Sequence, residues 1–188
     1  METLVGKEAL DFEADAYHDG EIKKINLRDF RGKWVVLIFY PADFTFVCPT
    51  ELEEMAEMYD EFRKVNADIL SISTDTAYVH KAWHDTSRAV SKVRFPMVAD
   101  PTRRISRAYG TYIEDEGVSW RATFIIDPDG VVRMADIHDN SIGRSAKEIL
   151  RRLKASKFVR ENPGHACPAS WEPGMESLKI DLDLVGKI

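Results

Sequence analysis

Cysteine is scarce: the 188-residue chain has two, Cys48 and Cys167. Neither belongs to a Cys-x-x-Cys pair or to a Cys/His zinc spacing, which excludes a thioredoxin-type dithiol motif and a zinc knot. Long hydrophobic runs are missing too. The longest, from Trp34 to Tyr40, covers seven residues, against about 20 for a helix that crosses a bilayer. The first residues, METLVGKEAL, have neither a basic n-region nor an apolar h-region, so we expect no secretory signal and a cytoplasmic location. Positive charge is not in excess. A formal net charge of -6 gives no attraction to phosphate backbones or anionic lipid, which argues against nucleic-acid and membrane partners. There is no internal repeat, no low-complexity linker and no flavin or dinucleotide fingerprint, so no cofactor is expected.

What is present reads as a folded protein. Apolar residues make up 44% and charged residues 31%, a globular composition in a chain long enough to bury one core. In a reducing compartment two thiols raise a redox or catalytic question rather than a structural one.

The pattern along the chain alternates strands and helices. FEADAY and EIKKINL flank Asp19-Gly20, a pair suited to a tight hairpin turn. WVVLIFY (34–40) is continuously apolar and predicts a central strand covered on both faces. PTELEEMAEMYDEFRKV places Leu52, Met55, Tyr59 and Phe62 at helical spacing, with Pro49 in the first turn. ADILSIST (67–74) is a strand, followed by a helix around HKAWHDTS, a short strand at FPMVAD and a brief helix near ISRAY. RATFIID and VVRMADIH flank Pro128-Asp129-Gly130 and read as an antiparallel hairpin. Ser145 and Glu148 form a capping box for a helix running to about Phe158, with Ile149, Leu150 and Leu153 inward. Beyond it Pro163, Gly164, Pro168, Pro173 and Gly174 break regular structure, leaving a tail that carries Cys167. The order implies an α/β sandwich around a mixed sheet, with a body over residues 1–160 and a tail over 161–188.

Cys48 stands between the buried strand and the amphipathic helix, so its sulfur lies at a helix N-terminus, where exposed amides favour thiolate over thiol. A lone cysteine is more often a small buried hydrophobe, but the surroundings of this one argue for a nucleophile. Thr45 is three residues before it, within one turn of the same opening, and Pro41 can shield that opening from water.

PADFTFVCPTE resembles the PxxxTxxC signature of the peroxiredoxins. STDTAYVHKAWH, FIIDPDG, IGR, HACPASW and the terminal DLVGKI extend the resemblance, along nearly the whole chain, to the bacterial alkyl hydroperoxide reductase C group. The resemblance implies a thioredoxin-like fold with an N-terminal extension and a peroxidase acting on hydrogen peroxide and alkyl hydroperoxides. It implies Cys48 as the peroxidatic cysteine, Pro41, Thr45 and Arg121 completing the site, and Cys167 as the resolving cysteine of an intersubunit disulfide. Glu51 and Arg144 match family positions that pair behind the site; read by themselves they are a first-turn helix acid and a solvated base. Implied partners are a dithiol reductant, either a flavoprotein or a thioredoxin-like protein, and further copies of the chain forming dimers and a decamer.

The chemistry agrees with these assignments. A thiolate attacking a peroxide builds charge on the departing oxygen, and the Thr45 hydroxyl, the Cys48 amide and Arg121 are candidate donors to it. The resulting sulfenic acid needs a second thiol, and Cys167 is the only other one. A holdase chaperone and a peroxide sensor are alternative functions for such a chain. A thiol hydrolase is disfavoured because no histidine is placed as a base.

Other residues read as follows. His80 and His84 share a helical face, but Lys81 stands where an H-E-x-x-H zinc site needs Glu. Tyr78, Val79 and Trp83 match the surface through which family dimers assemble, or are ordinary core, and His165 is a tail residue. Peroxiredoxins that inactivate easily have a Gly-Gly-Leu-Gly loop and a terminal Tyr-Phe helix. YIEDEGVSW and DLDLVGKI lack these, so resistance to overoxidation is expected.

Overall fold

A computed structural model describes residues 3–187. By internal contacts the chain divides into two compact units, Met1–Ala146 and Lys147–Ile188.

In the first unit the Asp19-Gly20 turn joins β1 (Glu13–His18) to β2 (Glu21–Asn26), antiparallel as the sequence predicts, with both turn residues at positive φ. The apolar run becomes β3 (Trp34–Phe39), buried along its whole length. It leads through a loop into α1 (Cys48–Glu57) and α2 (Tyr59–Lys64), then β4 (Ala67–Ser73), α3 (Ala77–Thr86), β5 (Met97–Ala99) and α4 (Arg104–Ala108). A two-residue pair, β6 (Tyr112–Ile113) with β7 (Val118–Ser119), precedes the predicted hairpin of β8 (Arg121–Ile126) and β9 (Val132–His138).

Seven strands form one sheet in the order β2-β1-β5-β4-β3-β8-β9. β3, β4 and β5 pair in parallel, whereas β1 joins β5 and β8 joins β3 antiparallel, so the sheet is mixed. Helices flank it, and Leu37, Phe39, Leu70, Ile72, Tyr109 and Phe124 are among its core. The second unit consists of α5 (Ala146–Glu161) beyond its first residue, the antiparallel pair β10 (His165–Ala166) and β11 (Leu178–Lys179), and a 3-10 turn at Leu182–Leu184.

Three local expectations change. The helix expected after Cys48 is two helices. Met58 leaves the helical region (φ -94°, ψ 0°) and shares its N–H between the carbonyls of Ala56 and Glu54. No Gly or Pro marks the break, so apolar spacing runs through it unaltered. α5 continues about a turn past Phe158, to Glu161. The tail is not devoid of regular structure either. Gly164 at φ +85° turns the chain after α5, and strands of two residues are too short for alternation to announce them. Trp171 is buried within this unit: its ring lies 4.7 Å from that of Phe158, and its carbonyl accepts from Arg151 at 2.8 Å.

Candidate active site

Cys48 is the first residue of α1 and is fully buried. Val47 precedes it as a cap without a side-chain hydrogen bond, and Pro49 removes one further N–H from the first turn. The Cys48 amide has no hydrogen-bond partner among the described residues, so a donor of the helix start is unclaimed beside its own sulfur.

The loop from Pro41 to Val47 is held from inside. Pro41 is buried. The Thr45 hydroxyl donates to the Ala42 carbonyl at 2.8 Å, so its lone pairs, rather than its proton, face other partners. Phe44 sits at φ +55°, a left-handed conformation that bulky residues rarely adopt. Beside it the Asp43 carboxylate accepts from the Tyr40 hydroxyl at 2.7 Å and lies 2.7 Å from His80 Nδ1, while the Asp43 amide donates to Asp75 at 2.9 Å. Burial, and then the Asp43 charge, pushes the Tyr40 hydroxyl well above its usual range, so it stays a donor.

Arg121, the first residue of β8, donates through Nη1 to Cys48 Sγ at 3.3 Å and to Glu51 Oε2 at 2.8 Å. Its Nε donates to the Asn140 carbonyl at 2.9 Å, and its backbone N–H to Asn140 Oδ1 at 3.1 Å. Arg144 reaches Glu51 from the other side: its amide and Nε donate to Oε1 at 2.7 and 2.9 Å, and Nη2 donates to Oε2 at 2.8 Å. Its Nη1 donates to the Ala122 carbonyl at 2.7 Å. Burial alone would push the Glu51 carboxyl up. The hydrogen bonds and charge of Arg144, with the charge of Arg121, outweigh it and hold Glu51 below the ordinary range.

The structure thus brings Cys48, Glu51, Arg121 and Arg144 into one buried cluster. Arg144 is 7% exposed, so the solvated-base reading of the residue alone does not describe it, and Glu51 is no surface acid. Cys167 lies in the second unit, half-buried, with Sγ 3.8 Å from the Ala155 carbonyl. Burial pushes its thiol up, against the opposing charge of Arg151. Both cysteines are free thiols.

The His80/His84 pair is otherwise engaged: His80 Nε2 contacts the Val98 carbonyl at 3.2 Å, and His84 Nε2 that of Val93 at 3.2 Å. The Tyr78–Trp83 segment splits. Trp83 is core, stacked near Tyr40 and Phe44, whereas Tyr78 is 75% exposed. His165 lies against the Phe158 ring and the Ser177 hydroxyl. Sequence reasoning missed Asn140 and the Tyr40–Asp43–His80 network. Nothing local marks Asn140, since its contact with Arg121 depends on strand pairing.

Comparison with known proteins gives the family. Residues 5–135 match the AhpC/TSA family. The chain belongs to that family. Relatives of this AhpC/TSA protein include alkyl hydroperoxide reductase C of Bacillus subtilis (strain 168), 48% identical over 186 residues, covering 99% of this chain and 100% of the relative. The protein of that name from Staphylococcus haemolyticus (strain JCSC1435) is 49% identical over 188 residues, with 99% and 100% coverage. The crystal structure of Enterococcus faecalis AhpC superposes with a TM-score of 0.86 at 44% identity, covering 89% of this chain and 100% of that one. Reduced Plasmodium vivax 2-Cys peroxiredoxin gives 0.89 at 39% identity, with 94% and 93% coverage. The AhpC/TSA fold is thioredoxin-like, as the resemblance implied. Among the described residues no helix is long and apolar enough to cross a membrane.

Proposed function

We propose that this AhpC/TSA protein is a peroxiredoxin-type antioxidant peroxidase that reduces hydrogen peroxide and alkyl hydroperoxides to water and alcohols. The observation that carries the reading is the Arg121 guanidinium 3.3 Å from a buried cysteine sulfur at a helix start. In this reading the Cys48 thiolate attacks one peroxide oxygen and the O–O bond breaks. The sulfur is oxidised to sulfenic acid, and the other oxygen leaves, protonated, as water or alcohol. Arg121 and the free Cys48 amide face the charge that develops. Thr45, whose proton is on Ala42, accepts from the peroxide O–H, a role different from the donor expected of it. Pro41 keeps water from the sulfur.

Cys167, in the tail over 161–188, then condenses with the sulfenic acid of a second copy, releasing water and forming an intersubunit disulfide. Two thiols of a dithiol protein, a flavoprotein disulfide reductase or a thioredoxin-like protein, reduce that bond and are themselves oxidised to a disulfide. Dimers assemble into a decamer in the cytoplasm. Glu51 and Arg144 hold Arg121 from behind. The test is peroxide consumption with candidate reductants supplied one at a time. Wild type should turn over with at least one, and Cys48→Ser should keep the fold and lose turnover. Substantial activity in Cys48→Ser would sink the assignment.

A further inference from the structure

We infer that Asn140 is a positioning residue for the peroxide step, holding Arg121 in the plane that faces Cys48; the inference rests on the peroxidase reading above. An arginine side chain has several free torsions, and its planar guanidinium donates usefully only in a fixed orientation. Arg121 is gripped at both ends by one residue. Its backbone N–H donates to Asn140 Oδ1 at 3.1 Å and its Nε to the Asn140 carbonyl at 2.9 Å. With Nη1 on Glu51 at 2.8 Å, two edges of the guanidinium are tied, and the plane that presents Nη1 to the sulfur is set.

Asn140 is itself held. The β8–β9 ladder closes at Arg121 opposite His138, and Asn140 lies two residues further on, past the ladder's support. There Asp139 forms a turn: its carboxylate accepts from the Ser141 N–H at 2.8 Å, and its carbonyl from the Ile142 N–H at 3.0 Å. The same segment continues through Gly143, where an added Cβ would come within 3.3 Å of Val47 Cγ1. It ends at Arg144, bonded three times to Glu51. One strap, residues 139–144, therefore bonds to Arg121 and Glu51 and passes the residue before Cys48 with little room for a side chain at Gly143. The Asn140 side chain sets where that strap meets β8, because the carbonyl that receives Nε belongs to the same residue.

The test compares Asn140→Leu, which keeps the volume and loses the acceptor, with Asn140→Asp, which keeps an oxygen at the same reach. Rapid mixing gives the rate of Cys48 oxidation by hydrogen peroxide, and iodoacetamide gives the alkylation rate of the same thiol. The ratio of the two should fall about 3- to 10-fold in Asn140→Leu, a fraction of what loss of an oxyanion donor costs, and return close to wild type in Asn140→Asp. A merely structural role would change both rates together or leave Asp as impaired as Leu, and either result overturns the inference. If Asn140→Leu is poorly folded, Asn140→Ser, a good turn residue whose hydroxyl is too short to reach, must give the same fall. Wild type that oxidises no faster than a free thiol would overturn the peroxidase reading and this inference with it; a fast wild type with an equally fast Leu variant overturns this inference alone.

Discussion

Glu51 shows how a single residue's environment reverses its default. A carboxylate in the first turn of a helix is ordinarily a solvated acid; here two guanidinium groups take the place of water. Its folded-state pKa lies below the ordinary value near 4.5, so the stability it contributes is present above that pH and is lost as pH falls through the lowered value. Glu51→Gln should cost about 3 kcal/mol at pH 7, since a buried pair is broken with its partners left in place. Urea unfolding at neutral and at acid pH would check this. The gap between variant and wild type should narrow in acid, and a gap that does not narrow would mean shape rather than charge. Thr45→Val should remove about 1 to 3 kcal/mol of transition-state stabilisation, since the peroxide O–H would lose its proposed acceptor. An unchanged rate of Cys48 oxidation would leave Thr45 only a loop-forming role, through Ala42.

At the scale of elements, the proposed Cys48–Cys167 disulfide would ask α1 to be both rigid and releasable, since its buried first residue would have to leave the helix start to meet a second sulfur. Its carboxylates hold it down. Glu51 binds the two arginines, Glu54 accepts from the Ala146 N–H at 3.1 Å, and Glu53 and Glu57 both receive Lys92, at 2.5 and 2.8 Å. Lys92 lies beyond Glu51 along the helix, so it resists spread of the unwinding without touching the sulfur's own neighbours. Lys92→Ala should speed disulfide formation modestly and leave Cys48 oxidation alone, and added salt should do the same to wild type, since exposed ion pairs are screened. Acid-quenched non-reducing gels over time would show it; equal disulfide rates in the variant and wild type would remove the clamp. The pause at Met58 carries no sequence mark, and neither does the pairing of β10 with β11, which is why apolar periodicity announces neither.

At the scale of the whole molecule, oxidised wild type should run as a covalent dimer on a non-reducing gel and Cys167→Ser as a monomer; an oxidised wild type that stays monomeric would favour an intrachain bridge or none. With excess peroxide, a rapid +32 Da shift on Cys48 at peroxide only slightly above the enzyme concentration would overturn the expected resistance to overoxidation. The sequence by itself determined the local objects: a buried strand at Trp34, an amphipathic helix behind Cys48, two hairpins, and a thiol at a strand–helix junction. Those follow from apolar spacing and turn chemistry within a few residues of one another. Only the tertiary structure decided what meets that thiol. Arg121 is 73 residues from Cys48 and Arg144 is 93 from Glu51; they arrive because β8 pairs with β3 on the side away from β4. Strand order is set by the packing of whole faces against each other, which no stretch of periodicity contains. Asn140, whose importance comes entirely from lying just past the end of that ladder, could be found only there.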